Sequence, residues 1–138
     1  MKKSIVFICI AILFLQSCKP KEPLPLLLGT WGMIGTKTTG TSDWIIYPYD
    51  SKYGLTVEFK NKGEIITNSD YLPLGGGWCN SANSFTLSSS NTIINLTFNK
   101  ANCIPLVDPR FPDEAKIISL TEKELIIERV GMYKFVRL

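Results

Sequence analysis

The four cysteines, Cys9, Cys18, Cys79 and Cys103, are the side chains of this chain with the widest choice of chemistry. A thiol can ligate a metal, attack an electrophile, pair as a disulfide or carry an acyl chain, and its surroundings decide which. No histidine occurs in the 138 residues. The usual general base and activator of a nucleophile is therefore missing, and neither Cys79 nor Cys103 sits in a recognisable catalytic phrase. Carboxylate pairs, Asp113 with Glu114 and Glu122 with Glu124, have the residue types for acid and base work. Their positions beside strand ends make turn and surface charge the better account. Gly75-Gly76-Gly77 is not followed by Gly-Lys-Ser/Thr, so it reads as a flexible loop and not a phosphate cradle. The residues predict a non-catalytic protein with no metal and no cofactor.

Cys18 is set apart by what precedes it. Lys2 and Lys3 make a positive start, residues 5–15 form an uncharged apolar run, and Leu15-Gln16-Ser17-Cys18 closes the segment. That order is a secretory signal. Eleven apolar residues fall short of the roughly 20 needed to span a bilayer as a helix. An ordinary signal would more often end in an Ala-x-Ala-like site. The last four residues resemble a bacterial lipobox. The resemblance implies cleavage before Cys18, two acyl chains on its sulfur and usually a third on the new amino group. Residues 1–17 are then a signal peptide, and two or more chains make anchoring stable where one is marginal. The expected location is the cell envelope, on the outer membrane of a Gram-negative bacterium.

Removing that leader leaves 121 residues, one domain's worth. The 15 basic side chains fall to 13 with the loss of Lys2 and Lys3, against 12 acidic ones. No block of like charge remains to suit a nucleic acid. Cys9 leaves with the leader and Cys18 carries lipid, so Cys79 and Cys103 remain in a compartment that permits disulfides. They are expected to pair, with two buried free thiols as the other reading; two cysteines alone lack the partners of a structural zinc. Residues 18–26, with Pro20, Pro23 and Pro25, read as an extended tether.

The elements that must position anything functional are strands. Residues 55–60 alternate, with Leu55, Val57 and Phe59 facing a core, and Asn61-Lys62-Gly63 turns the chain into a partner at 64–67. Residues 84–88 and 92–98 form a second hairpin around Ser89-Ser90-Asn91, packing Phe85 and Leu87 with Ile94, Leu96 and Phe98. Residues 116–120 and 123–130 flank a tight turn, 132–138 makes the last strand, 30–38 the first, and 44–47 adds a short one. Two stretches, 70–82 and 105–112, carry the glycines and prolines of loops, with one helical turn expected at 113–115. About eight strands at this spacing predict an all-β, antiparallel meander, an up-and-down barrel or a sandwich.

Leu27-Leu28-Gly29-Thr30-Trp31 resembles the Gly-x-Trp opening of lipocalins, and more closely the short lipocalin-like domains of bacterial lipoproteins. Residues 118–125 and 133–138 resemble the closing strands of such domains, while 40–112 match only in strand pattern. The resemblance implies a lipocalin-like barrel over residues 27–138. It also implies that Trp31 closes the base, with Arg137 or Arg129 packed over it through a cation–π contact.

An eight-stranded barrel can hold a small ligand or be filled by its own side chains. The function expected is binding of a small apolar ligand, with Tyr71, Trp78 and Phe111 as loop aromatics at its rim. The alternative is an interaction module that engages an envelope protein, such as an inhibitor or accessory subunit, through the same loops.

Overall fold

In a computed structural model of the chain, the structure describes residues 24–50, 54–69, 74, 82–98 and 112–138. Cys18, Cys79, Cys103, Tyr71, Trp78 and Phe111 lie outside the described residues, as do the signal peptide and the first part of the tether.

Among the described residues nine strands follow in order: β1 (Gly29–Lys37), β2 (Ile45–Ile46), β3 (Thr56–Phe59), β4 (Ile65–Thr67), β5 (Ala82–Leu87), β6 (Ile93–Phe98), β7 (Glu114–Leu120), β8 (Glu124–Glu128) and β9 (Met132–Arg137). All pairings are antiparallel, in the order β4-β3-β1-β9-β8-β7-β6-β5. The two ends of that path meet at a bridge between Glu64 and Ser84, so eight strands form a nearly closed barrel. Neighbours in space are neighbours in sequence apart from two features: β9 pairs with β1, which joins the last strand to the first, and β2 continues the β3 edge of β1 by pairing Gly35 with Ile46 and Thr36 with Ile45.

Alternation of side chains along each strand sends one set inward. Trp31 and Met33, Val57 and Phe59, Ile94 and Leu96, Leu125 and Ile127, and Phe135 are all buried. Phe59 and Phe85 meet edge to face with centroids 5.1 Å apart, the geometry that the ring quadrupole favours. No polar side chain is buried among the described residues, and Leu74, from the connection between β4 and β5, is fully buried with the core. Bulges between Met33 and Gly35, Ala82 and Ser84, and Ile117 and Ser119 supply the extra twist that closing a sheet requires.

The meander assigns each connection to one of two ends. The N-terminal segment and the turns at Asn61–Gly63, at Ser88 to Asn91 and at Thr121 to Lys123 lie at the end where Trp31 sits. The connections β1–β3, β4–β5, β6–β7 and β8–β9 leave from the far end.

Three local features differ from the sequence reading. Residues 113–115 form no helical turn: β7 starts at Glu114, because Asn95 and Ile94 of β6 offer partners to Glu114 and Ala115. Lys62 joins Gly63 at positive φ, 68° and 76°. The folded chain also reaches back beyond Leu27 to Leu24, which packs against the core.

Candidate functional site

At the Trp31 end the chain locks its own base. The indole Nε1 of Trp31 donates to the Leu27 carbonyl at 2.9 Å, and Leu27 N–H donates to the Leu24 carbonyl at 2.8 Å. Trp31 and Leu27 are both fully buried. Arg137, paired with Trp31 in register, lays its guanidinium over the indole, 4.3 Å from the ring centroid. Its Nε donates to Glu122 O at 2.7 Å, Nη1 to Leu28 O at 2.7 Å and Nη2 to Leu26 O. A planar fork of fixed donors suits this role, where the single point charge of a lysine would not. Gly29 has φ +121°, and a Cβ there would stand 2.7 Å from Arg137 Nη1. Arg129 has a different place: it lies over Phe98 at 5.4 Å and donates from Nε to Pro112 O at 2.8 Å.

The described residues also border an open, shallow cleft of about 260 Å³ between β1 and the segment that follows β2. Met33, Tyr47, Pro48, Asp50, Gly54 and Leu55 line it. Its walls are set by backbone pairing: Tyr47 N–H donates to Ile34 O at 3.0 Å and Met33 N–H to Leu55 O at 2.9 Å. Between those two anchors the chain leaves β1 and returns, and the cleft is the space this detour opens. Asn68 braces the return. Its Oδ1 accepts from Thr56 N–H at 2.7 Å and its Nδ2 donates to Gly54 O at 2.8 Å. Tyr49 folds on to the outer face of β1, where a Cβ at Gly32 would stand 2.6 Å from its ring.

Tyr47 and Leu55 are half-buried and pack against the core together with Tyr133. Burial pushes the Tyr133 hydroxyl above its ordinary value; Arg129 pulls the other way and Tyr47 adds to the rise. Burial lowers Arg129 despite the attraction of Asp113 and Tyr133. The far end thus carries a cation and two phenols over an apolar interior. Among the described residues, no three of His, Cys, Asp or Glu stand close enough to hold a metal ion. The cleft offers apolar contact from Met33, Leu55 and Pro48, with a phenol and one carboxylate at its margin.

Sequence reasoning placed the binding aromatics at Tyr71, Trp78 and Phe111, all outside the described residues. It did not single out Met33, Tyr47 or Asn68. Met33 follows the inward alternation of β1, so the pattern marks it as interior; nothing in the pattern marks the detour beside it. No family model, curated protein or solved structure matches the chain.

Proposed function

We propose that the mature protein is a lipid-anchored binding module whose barrel takes up a small, mostly apolar molecule in the cleft between β1 and the segment after β2. The cleft carries this reading: about 260 Å³ lined chiefly by Met33, Tyr47, Pro48 and Leu55. That volume is just below the roughly 300–1,000 Å³ of drug-sized ligand pockets, so the molecule is smaller than those. The lipobox-like run ending at Cys18 supports the anchor, and the Gly29-Thr30-Trp31 opening supports a lipocalin-like descent. Lipid on Cys18 keeps the module at an envelope membrane, and the binding needs no catalysis.

Native mass spectrometry of the protein purified from its own membranes tests the reading. A bound small molecule, lost from a Leu55→Trp variant that still folds, is the expected result. Protein carrying only its lipid, and taking up no apolar probe, would refute it.

A second reading has its own observation. Ile45 and Ile46 of β2 are 66% and 56% exposed, and β2 pairs only with β1 among the described strands. A short apolar edge suits strand addition by a protein partner. An envelope protein captured by the native chain and lost with Ile45→Lys would favour an interaction module.

A further inference from the structure

We infer that the Trp31 end of the barrel is the surface that faces the lipid bilayer, with Leu26 and Leu138 as its contact residues, so that the far end faces the aqueous side. The inference rests on the reading of Cys18 as the lipid site.

Tether length carries the argument. Six residue steps separate Cys18 from Leu24, and fully extended chain advances at most about 3.3–3.6 Å per residue, so the span is limited to roughly 20 Å. Leu24 is already fixed to the barrel. It packs against the core, accepts from Leu27 N–H, and leads into the Leu26 and Leu28 carbonyls that Arg137 holds. The anchor therefore leaves from the Trp31 end and not from a loose arm that could be carried round the wall.

Strands tilted about 35–45° in a barrel lose a quarter of their length to the tilt. The eight steps of β1 then span about 20 Å along the axis at 3.3 Å per residue. An inverted barrel would need its tether taut along the whole wall, with the far-end turns pressed into the headgroups. The upright barrel needs no such stretching.

What the Trp31 end exposes fits a bilayer. Leu26 and Leu138 are 43% and 54% exposed on an end where Trp31, Leu27 and Phe59 are wholly or almost wholly buried. Leu138 is held there by its N–H donating to Thr30 O at 3.0 Å. The consequence is functional: the connections that leave from the far end are presented to the aqueous side, where a partner can reach them.

The test uses the full lipidated chain in vesicles of phosphatidylethanolamine and phosphatidylglycerol, with a benzophenone amino acid at one exposed position at a time. Asn61 reports the Trp31 end, Thr39 the far end, and Ile66 and Ile118 two separate walls. Flotation with the vesicles is read first, against a Cys18→Ala control. Lipid adducts at Asn61, with none above background at the other three positions, is the expected result. Adducts at Thr39 would show an inverted barrel, and adducts at Ile66 or Ile118 equal to those at Asn61 a barrel on its side; either overturns the orientation while leaving the anchor intact. A parent chain that does not float overturns the anchor itself, and the orientation with it.

Discussion

The guanidinium of Arg137 stands 4.3 Å above the indole of Trp31, and the same guanidinium holds the Leu26 and Leu28 carbonyls at the base of the barrel. One side chain from the last strand thus fixes the first strand and the segment in front of it. Arg137→Ala loses the cation–π contact and leaves carbonyls without their donor. Together these should cost about 2–3 kcal/mol, read as a fall in the urea midpoint. Arg137→Lys should recover less than half of that loss, because an ammonium cannot reach Leu28 O and Glu122 O at once.

Gly29 tests the same lock from the other side. Its φ of +121° and the 2.7 Å approach to Arg137 Nη1 both oppose a side chain. Gly29→Ala should destabilise by about 1–3 kcal/mol. In a double-mutant cycle with Arg137→Ala, the combined loss should be smaller than the sum, since the crowding disappears with the guanidinium.

Phe59 is fully buried and meets Phe85 edge to face, so Phe59→Ala removes both packing and a ring contact. A loss of about 3–5 kcal/mol is expected in chemical denaturation, with the change in tryptophan fluorescence and the loss of strand signal remaining coincident. Transitions that separate would show that the two halves of the barrel do not fold as one unit.

Tyr133 gives the stability a dependence on alkaline pH. Its folded value lies above the ordinary 10.0 because burial disfavours the phenolate. The unfolded chain therefore releases this proton first as pH rises, and the folded state holds more protons in that window. Stability from this group is complete below pH 10 and is lost as pH climbs through the raised folded value. Between pH 9 and 11 the parent chain should lose stability faster than Tyr133→Phe, as compared by urea midpoints. Parallel curves would contradict the assignment.

Most of the barrel was legible in the sequence, and for a local reason. Alternation in Val57 and Phe59, Ile94 and Leu96, and Leu125 and Ile127 reports the inner face directly, and Asn61-Lys62-Gly63 and Ser89-Ser90-Asn91 mark turns by their own preferences. What failed depends on partners distant in sequence. Glu114 and Ala115 are strand because Asn95 and Ile94 lie beside them, which no local propensity of Asp113-Glu114-Ala115 announces. The cleft escaped for the same reason. It exists because the chain quits β1 after Tyr47 and rejoins at Leu55, under the brace of Asn68, and a detour leaves no period to read. The role of Leu24, Leu26 and Leu28 was hidden by the prolines around them, which signal extended chain but not what that chain docks against.

Cys79 and Cys103 carry a prediction from the sequence alone. The mature protein should lack free thiols, with a mass two hydrogens below the reduced form. Reduction should lower stability by roughly 3–4 kcal/mol, the chain-entropy value for a loop of about 25 residues. Two thiols titratable in the unfolded, unreduced protein would replace the disulfide with buried free cysteines.

The measurement closest to the central claim is binding of a small apolar fluorescent probe to the mature protein, read by titration and by its displacement with a non-fluorescent competitor. The account predicts saturable binding at one site. Leu55→Trp, which fills the cleft beside Met33 and Tyr47, should abolish it while the thermal midpoint stays close to that of the parent. Absence of saturable binding, or binding that Leu55→Trp leaves untouched, would contradict the account.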